Sequence, residues 1–584
     1  MRVVESVLIA NRGEIAVRVI RAARDLGLRT IAIYSELDRD AVHVELADEA
    51  WNVGTAPAAD SYLNGERVLE VATQAKADAV HPGYGFLAEN AEFARSVAAA
   101  GFVWVGPPPE AIATMGDKIA SRVAANQAGV MCVPGTLEPL TTVDEVTSFA
   151  GEHGFPVAIK AAHGGGGKGL KVVRSPDELD AAFESAGREA SAWFGSSEVY
   201  VERYLERPRH IEAQVMFDMN GVGAFLGERD CSLQRRHQKM LEETPAPGLT
   251  AERRAVLGEA ALAVASAANY VNAGTVEFLM DQEGEFYFLE MNTRIQVEHT
   301  ITEMVTGIDL VAEQFRVAAG EALSFTEVTP SGHAFEFRIN AEDPSRGFMP
   351  TPGTLASYRA PEGPWVRVDS GVRQGSTISQ YYDNLIAKLI VWGNDREEAI
   401  ERSRRALSEF EIAGVDTTIP AHLRILDDAA FQAGDVDTRM VEDSFDFSSI
   451  ERATAPAVPE EEETEERKLT VEVGGRRFKV RFWAPVMAQA GSGQRAAPRR
   501  RPPKLSSQTP VPGGEGVVTA PMQGTIVKVH HKAGEAVKAD ESVAVLEAMK
   551  MENEIKAPID GEIVDLRIQP GDTVSAGSVL MVIK

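Results

Sequence analysis

Two segments near the C-terminus of the chain align with each other without a gap. They read GTIVKVHHKAGEAVKADESVAVLE from Gly524 and GEIVDLRIQPGDTVSAGSVLMVIK from Gly561. The identical residues of the two copies are Gly524 and Gly561, Ile526 and Ile563, Val527 and Val564, Gly534 and Gly571, Val537 and Val574, Ala539 and Ala576, and Val545 and Val582. Two equal β units predict a small barrel or flattened sandwich with internal two-fold symmetry.

The repeat also determines where one lysine stands. Lys550, within AMKMENEIKAPID, falls at the turn that joins the two copies, the most protruding point of such a domain. Upstream, residues 486–515 have no periodicity and are rich in Pro, Gly, Ser, Gln and Ala, which is typical of a disordered tether. A tether of about 30 residues has an r.m.s. span of roughly 30 Å. An isolated lysine is usually a solvated surface group, but this one is displayed at the tip of a tethered domain.

Bulk composition limits the partners and the compartment. The 584 residues predict several domains, and a net charge of −28 argues against nucleic acid and anionic membrane surfaces as partners. Only Cys132 and Cys231 occur, far apart, which favours a reducing compartment over disulfides or structural zinc. The N-terminus lacks the apolar core of a signal peptide, and no apolar run of about 18 residues is present. We therefore expect a cytoplasmic protein without a membrane span.

The first segment predicts an α/β domain with a parallel sheet. SVLIANRGEIAVRVIRAARDLGLRTIAIYS reads as strand, tight turn, helix and strand, with Leu8 to Ala10 as the first strand and Gly27 ending the helix. AVHPGYGFLAEN repeats the pattern. The G-x-G-x-x-G fingerprint is absent after the first strand, which argues against a nicotinamide cofactor.

Composition shifts divide the chain into six predicted parts. Residues 469–485 alternate apolar and polar residues around Gly474 and Gly475, which predicts a β-hairpin. This hairpin could dock a partner or pack on a neighbouring domain, and the sequence favours neither. The predicted parts are 1–115 (α/β), 116–330 (mixed α and β, with most polar motifs), 331–447 (α+β), 448–485 (linker with hairpin), 486–515 (tether) and 516–584 (all-β repeat domain).

A run of four glycines predicts a phosphate-binding hairpin tip. In IKAAHGGGGKGLKVV, apolar strand-like residues flank the glycines on both sides, and Lys160 and Lys168 add positive charge. Glycines let backbone amides approach an anion without side chains in the way. A plain flexible linker would not need the flanking strands, and the pattern is not a P-loop.

A second hairpin carries carboxylates. GTVEFLMDQEGEFYFLEMNTRIQVEH predicts two strands joined at 281–284, with Glu277 near Phe288 and on the same face as Glu290. Two carboxylates and Asn292 suit Mg²⁺, which takes hard oxygen ligands. Three further polar residues alternate along the extended segment that follows: Arg294, Gln296 and Glu298.

Two resemblances follow from these motifs. The E-A-M-K-M sequence around Lys550, together with the repeat and the tether, resembles a biotinyl carrier domain. This implies biotin in amide linkage on Lys550, attached by a biotin protein ligase that reads Met549 and Met551. Lipoyl domains share the architecture but usually show an Asp-Lys-Ala-like tip.

Residues 1–447 resemble biotin carboxylase, an ATP-grasp enzyme. The collinear motifs are IANRGEIAVR, HPGYGFLAEN, GDK, ERDCSLQRRHQK, EMNTRIQVEH and RINAED. The implied fold is a biotin carboxylase N-terminal α/β domain, an ATP-grasp central domain, an α+β C-terminal domain and a tethered all-β biotinyl/lipoyl-like domain.

The resemblance also implies site residues. ATP would be bound by Lys118, Lys160, Gly165, Gly166, Gly167, Lys168, Glu202, Arg203, Tyr204, Leu205, His210, Gln234, His237, Glu277 and Glu290. Mg²⁺ or Mn²⁺ would be held by Glu277, Glu290 and Asn292. Bicarbonate would be bound by Lys239, Arg294, Gln296 and Val297. Lys239 and Arg294 would also be catalytic, with Glu298 as the general base and Arg338 stabilising the biotin enolate. Lys168 stands where family members often have arginine, so the cation is kept but the bidentate fork is lost.

The implied activity is the ATP-dependent carboxylation of biotin with bicarbonate, through carboxyphosphate. A carboxyltransferase domain is missing from this chain, so we expect a hetero-oligomer with a separate carboxyltransferase β subunit. The leading hypothesis is the α subunit of an acyl-CoA carboxylase acting on acetyl- or propionyl-CoA. Pyruvate as the acceptor and a catalytically inactive carrier scaffold are the alternatives, the second disfavoured by the intact set of polar residues.

Overall fold

The computed structural model describes two compact units of the chain. The described residues are 3–450 except 137, 162–169, 195 and 326–327, then 464–485 except 474–475, and 516–584 except 522–523, 549–550 and 575–576. One unit comprises Met1–Ala453 and the other Thr454–Lys584. Among the described residues, none of the helices combines the length and the apolar character that a membrane crossing needs. The predicted tether at 486–515 lies outside the described residues.

A five-stranded parallel sheet opens the first unit. Its strands are β1 (Ser6–Ile9), β2 (Arg29–Ser35), β3 (Glu49–Gly54), β4 (Ala79–His81) and β5 (Val103–Trp104), in the order β3-β2-β1-β4-β5. The helices of this part are α1 (Gly13–Asp25), α2 (Val42–Leu46), α3 (Gly65–Gln74), α4 (Ala91–Ala99) and α5 (Pro109–Gly116). β1 is buried along its whole length, as parallel strands covered on both faces are. The strand predicted at 8–10 begins two residues earlier, at Ser6. The predicted α/β opening with a parallel sheet is confirmed.

A small three-stranded sheet follows. Its elements are α6 (Lys118–Gln127), α7 (Val143–His153), β6 (Val157–Ala161), β7 (Lys171–Val173), α8 (Leu179–Phe194) and β8 (Val199–Arg203). β6 pairs antiparallel with both β7 and β8. The strands predicted to flank the glycine run are thus paired as a hairpin, whereas the glycine tip itself lies outside the described residues.

The largest sheet crosses the boundary predicted at residue 330. The strands of this part are β9 (Arg209–Phe217), β10 (Gly223–Arg235), β11 (Gln238–Thr244), β12 (Asn272–Met280), β13 (Phe286–Asn292), β14 (His333–Asn340), β15 (Glu342–Asp343), β16 (Met349–Pro350), β17 (Gly353–Thr354), β18 (Ser357–Arg359), β19 (Val366–Ser370), β20 (Thr377–Ile378), β21 (Leu385–Gly393) and β22 (Glu411–Ala413). Eight of them form an antiparallel sheet in the order β13-β12-β9-β10-β11-β14-β21-β19. Because β11 pairs with β14, the segments before and after residue 330 share one hydrogen-bonded layer.

Helices cover this sheet and its edges. They are α9 (Ala251–Ala267), α10 (His299–Thr306), α11 (Leu310–Ala318), α12 (Arg396–Glu409), α13 (Ile419–Leu426), α14 (Ala429–Ala433) and α15 (Met440–Ser444). Short 3-10 helices occur at Glu36–Asp38, Ala58–Asp60, Pro176–Glu178 and Pro344–Arg346. On β9, Ile211, Ala213 and Val215 join the same apolar core as Leu257 and Val264 of α9. The alternate residues of β9 face the other way, and that polar face positions the site.

The second unit begins with the predicted hairpin and ends with the repeat. β23 (Thr464–Val473) pairs antiparallel with β24 (Arg476–Pro485), which confirms the hairpin. The strands of the repeat are β25 (Val517–Thr519), β26 (Gly524–Val529), β27 (Ala536–Val537), β28 (Ser542–Ala548), β29 (Met551–Lys556), β30 (Gly561–Leu566), β31 (Thr573–Val574) and β32 (Val579–Ile583). They form two four-stranded sheets, β25-β32-β30-β27 and β29-β28-β26-β31. Equivalent strands of the two copies occupy equivalent places, as the predicted two-fold symmetry requires.

Candidate active site

The polar face of the large sheet forms the floor of the site. Glu277 on β12 lies opposite Glu212 on β9, and Glu212 lies opposite Arg229 on β10. Further along, Glu242 on β11 lies opposite Glu336 on β14. Residues directly opposite each other in a sheet point to the same side, so Glu277, Glu212 and Arg229 form one row across three strands, and Glu242 and Glu336 form a pair across the next two.

Glu298 joins two cations above this row. The residue immediately precedes α10 and is buried, with 2% of its surface exposed. Its Oε1 accepts a hydrogen bond from Lys239 Nζ at 2.8 Å, and its Oε2 accepts one from Arg338 Nη2 at 3.0 Å. The sequence placed these three residues on separate segments, and the structure brings them into direct contact.

The two cations determine the protonation state of Glu298. Burial alone would raise the pKa of this carboxyl, but Lys239, Arg338 and Arg229 outweigh burial and lower the pKa below its usual range. Glu298 is therefore ionised at neutral pH. An ionised carboxylate in a cleft can accept a proton from a bound substrate, provided that the substrate's O–H reaches it.

Lys239 also connects Glu298 to the carboxylates of the sheet. Its Nζ lies 2.9 Å from Glu277 Oε1 and donates to Glu212 as well. On the other side, Arg338 Nε donates to Glu242 Oε1 at 2.7 Å. Each cation is thus held by at least one carboxylate besides Glu298, which fixes the position of its charge.

The carboxylate hairpin differs from its predicted register. Glu277 lies opposite Glu290, and Phe288 lies opposite Phe278. The prediction that Glu277 stands near Phe288 is wrong for two reasons. The loop between β12 and β13 has five residues, 281–285, rather than four, and a β-bulge between Glu277 and Phe278 shifts the pairing by one more residue. The expected shared face of Glu277 and Glu290 is confirmed, since they oppose each other directly.

This pair of carboxylates fits a magnesium ion. Glu277 is buried, whereas Glu290 is exposed and makes no hydrogen bond or ion pair within the part of the chain that the structure describes. Asn292 Nδ2 donates to Glu277 Oε1 at 2.8 Å, while Asn292 Oδ1 accepts from Arg294 Nη2 at 2.9 Å. Hard oxygens on one face, one of them open to the cleft, are the donors that Mg²⁺ prefers.

The segment predicted to bind bicarbonate is held by partners on both sides. Arg294 Nε lies 3.0 Å from Glu89 Oε2, a residue of the FLAEN motif near the N-terminus. Gln296 Nε2 donates to Glu277 Oε1 at 2.8 Å. Val297 follows directly and leads into Glu298, so the predicted bicarbonate residues line one continuous turn beside Lys239.

The cations predicted to bind ATP phosphates cluster on the small sheet and α6. Lys160 on β6 forms an ion pair with Glu202 on β8, and Arg122 Nη1 lies 3.2 Å from the other oxygen of Glu202. The pKa of Lys118 is lowered, mainly by burial. The carboxylate of Glu290 acts to raise this pKa, and the nearby charge of Lys160 acts to lower it further. Cations that repel each other in this way favour a bound polyphosphate.

The other predicted nucleotide residues lie on β8, β9 and β10 and in the segments that directly follow β8 and β10. Leu205 packs with Val133, Tyr287 and Leu279 in a small apolar cluster. It directly follows Glu202, Arg203 and Tyr204 in the chain. His210 Nε2 lies 3.1 Å from Glu277 Oε2. Gln234 is buried and pairs with Lys239 across β10 and β11, and His237 follows in the turn between those strands. Five predicted site residues lie outside the described residues: Gly165, Gly166, Gly167, Lys168 and Lys550.

Sequence reasoning missed a fully buried arginine. Arg229 has no exposed surface, and its guanidinium donates to Glu212, Gln214, Thr275, Gln296 and Thr302. The missed signal was the alternation of polar residues in RHIEAQVMF and the charged triplet ERD within apolar strands. Such charges in a buried strand need partners on neighbouring strands.

Comparison with known families agrees with this geometry. Residues 3–112 match the family "Biotin carboxylase, N-terminal domain", and residues 336–443 match "Biotin carboxylase C-terminal domain". Between them, residues 117–326 match "Carbamoyl-phosphate synthase L chain, ATP binding domain". Residues 516–583 match "Biotin-requiring enzyme".

Similar proteins cover the whole chain or three quarters of it. The biotin-dependent acyl-coenzyme A carboxylase alpha3 subunit of Mycobacterium leprae is 48% identical over 100% of this chain and 99% of its own length. One of the pyruvate carboxylase subunits of Methanothermobacter thermautotrophicus is 52% identical over 75% of this chain and 89% of its own length.

One similar protein has been solved in complex with ligands. The biotin carboxylase domain dimer of 2-oxoglutarate carboxylase from Hydrogenobacter thermophilus, in complex with MgADP, ADP and bicarbonate, is 47% identical. It superposes with a TM-score of 0.73 and covers 76% of this chain and 98% of that chain. The chain belongs to the family of biotin-dependent acyl-CoA carboxylase α subunits: it is an ATP-dependent biotin carboxylase joined to a biotinyl carrier domain, with biotin, ATP and Mg²⁺ as cofactors.

Proposed function

We propose that this chain activates bicarbonate with ATP at the Glu298 cluster and carboxylates biotin carried on its own Lys550. The observation that carries the proposal is the double contact of Glu298. One oxygen lies 2.8 Å from Lys239 on the bicarbonate side, and the other lies 3.0 Å from Arg338 on the biotin side. A single ionised carboxylate thus connects the residues assigned to both substrates.

The first step is proton removal from bicarbonate. Lys239 and Arg294 neutralise the bicarbonate anion, which would otherwise be repelled by the ATP phosphates. Glu298 takes the O–H proton while a bicarbonate oxygen bonds to the γ-phosphorus and the bond to ADP breaks. The lowered pKa of Glu298 keeps it available as the base at neutral pH. Because Glu298 itself is buried, little water competes at the base.

The second substrate is the biotin ring. When bound, biotin supplies a ureido nitrogen that accepts the carboxyl group. Carboxyphosphate would break down to CO₂ and phosphate, and the phosphate would take the proton of the ureido nitrogen. Negative charge would then develop on the ureido oxygen, and the Arg338 guanidinium would stabilise that charge. Arg338 is suited to this role because Glu242 and Glu298 hold it in place from two directions.

Two further assignments complete the proposal. Glu277 and Glu290, supported by Asn292, would hold Mg²⁺ next to the phosphates that Lys118 and Lys160 bind. Lys550, which lies outside the described residues, would carry the biotin. The support for Lys550 is its E-A-M-K-M motif and its place between β28 and β29, where the two copies of the repeat meet.

For the final acceptor we propose acetyl- or propionyl-CoA, reached through a separate carboxyltransferase β subunit. The relative from Mycobacterium leprae supports an acyl-CoA as the acceptor, since it is an acyl-CoA carboxylase subunit that matches this chain from end to end. Pyruvate is the second candidate, because the relative from Methanothermobacter thermautotrophicus, which matches 75% of this chain, is a pyruvate carboxylase subunit.

Two assays test these statements. The purified chain, given ATP, Mg²⁺ and free biotin, should release ADP only when bicarbonate is added. Absence of that dependence would contradict the carboxylation mechanism. The acceptor is tested separately, by co-purifying the carboxyltransferase and comparing acetyl-CoA, propionyl-CoA and pyruvate. Exclusive turnover of pyruvate would reject the acyl-CoA assignment and leave the first half-reaction intact.

A further inference from the structure

A buried lysine that is not among the predicted site residues contacts the backbone of the site. Lys388 on β21 has no exposed surface, and its Nζ donates to the carbonyl oxygen of Val297 at 2.9 Å. Val297 stands between Gln296 and Glu298, on the turn assigned to bicarbonate. A charged group donating to this carbonyl makes a stronger bond than a neutral donor would.

The sheet places Lys388 beside the biotin-side arginine. Lys388 and Arg338 are directly opposite each other on β21 and β14. Arg338 bonds to the Glu298 side chain, and Lys388 bonds to the carbonyl of the preceding residue, Val297. Two successive residues of the turn are therefore anchored by two neighbouring residues of a hydrogen-bonded sheet.

Carboxylates on both sides hold the lysine in this position. Lys388 Nζ lies 3.2 Å from Glu14 Oε1 and 4.0 Å from Asp369 Oδ2. Glu14 is itself buried and accepts a hydrogen bond from Tyr84 at 2.5 Å through its other oxygen. Burial alone would lower the pKa of Lys388, but Glu14, Glu336 and Asp369 outweigh it and raise the pKa, so the ammonium stays charged.

We propose that Lys388 is a positioning residue for bicarbonate activation: it holds the Val297 carbonyl and thereby fixes Gln296 and Glu298 relative to Arg338. The proposal rests on the function proposed above. Lys388 does not reach the substrates, because it is fully enclosed. It acts through the turn that binds bicarbonate, and Glu14 links this arrangement to the first helix of the chain.

The first test is the substitution Lys388→Met, which keeps an unbranched side chain only one atom shorter and removes the charge and the donors. Freed from the sheet, the turn should bind bicarbonate less well, and we expect the KM for bicarbonate to rise about tenfold, the effect of losing one charged hydrogen bond. The KM for ATP should change little, since Lys388 has no contact with Lys118, Lys160 or Glu202.

A second variant separates positioning from stability. Lys388→Met alone leaves Glu14 buried without its cation, which strongly destabilises a fold. The double variant Lys388→Met/Glu14→Gln removes both charges, so it should fold even if the single variant does not. A purely structural role predicts that the double variant regains a normal KM for bicarbonate. A positioning role predicts that this KM stays raised, because the Val297 carbonyl still lacks its hydrogen bond from residue 388.

The matched control is Arg396→Met on α12. Arg396 Nε lies 2.7 Å from the buried Glu243, and Arg396 does not contact the turn at 296–298. This variant also breaks a buried ion pair, so its thermal stability should fall while both KM values remain unchanged.

The measurement is ADP release by the full chain, with bicarbonate and ATP each titrated, normalised to the folded fraction from thermal melts. A double variant with a wild-type KM for bicarbonate would overturn the proposal. If instead the wild-type chain releases no ADP in response to bicarbonate, the proposed function fails first, and this inference fails with it.

Discussion

Replacing Glu298 by glutamine should remove the base and leave the site assembled. The substitution Glu298→Gln deletes a charge that accepts one bond from Lys239 and one from Arg338. Both cations keep other partners, because Lys239 also bonds Glu277 and Arg338 also bonds Glu242. No cation is left unpaired, so we expect a loss of unfolding free energy of about 1.5–3 kcal/mol and a folded protein.

The effect on turnover should be much larger. General base catalysis contributes about 10²–10⁴-fold, so bicarbonate-dependent ADP release with free biotin should fall by about that factor. The KM for ATP should stay near its wild-type value, since Glu298 has no direct contact with Lys118 or Lys160. The assay is steady-state ADP release with and without bicarbonate, with circular dichroism to measure the folded fraction.

Glu242→Gln is the matched control. Glu242 contacts Arg338 at 2.7 Å, is as deeply buried as Glu298, and has no hydrogen bond to Lys239. Its substitution weakens only the hold on Arg338, and we expect a fall in turnover of about tenfold. Turnover of Glu298→Gln within about tenfold of wild type, or equal losses in the two variants, would refute the assignment of the base.

Three further predictions concern the carrier, the metal and acid stability. Lys550→Ala should abolish streptavidin staining and spare turnover of free biotin; persistent staining would place the biotin elsewhere. Glu277→Gln should raise the Mg²⁺ concentration needed for half-maximal ADP release by about tenfold or more, and an unchanged Mg²⁺ titration would exclude Glu277 as a ligand. Burial lowers the pKa of His43 and His422 to about 4 and of His81 to about 3. Between about pH 6.5 and pH 4, these histidines therefore bind protons in the unfolded chain but not in the folded protein. The free energy of unfolding should fall over this range as the pH is lowered, by up to about 1.4 kcal/mol per pH unit for each histidine. Urea midpoints at pH 7 and pH 5 measure this, and equal midpoints would contradict it.

The C-terminal repeat separates what the local sequence pattern predicts from what it does not. Two ungapped copies determined that the C-terminal domain has two equal β units. The exchange of short strands was not visible in the sequence: β27 of the first copy joins the sheet of β30 and β32, and β31 of the second joins that of β26 and β28. Strand pairing between copies is a long-range choice, which the pattern within each copy does not specify.

The carboxylate hairpin shows a smaller limit. The apolar and polar alternation determined that Glu277 and Glu290 share a face. Their direct pairing depends on a bulge after Glu277, which no turn residue marks. A bulge changes the register by one residue, so the alternation of residues within each strand does not specify which residues pair.

The sequence by itself determined the family of this protein: its collinear motifs contain the cations, the carboxylates and the carrier lysine that we propose as the site of a biotin carboxylase with a carrier. Only the tertiary structure decided how the charges pair. Glu14, Val297 and Lys388 are far apart in the chain and meet at one buried point. The physical reason is that a charge in a strand must find its partner across the sheet, and strand order is set by the packing of the whole core rather than by local sequence.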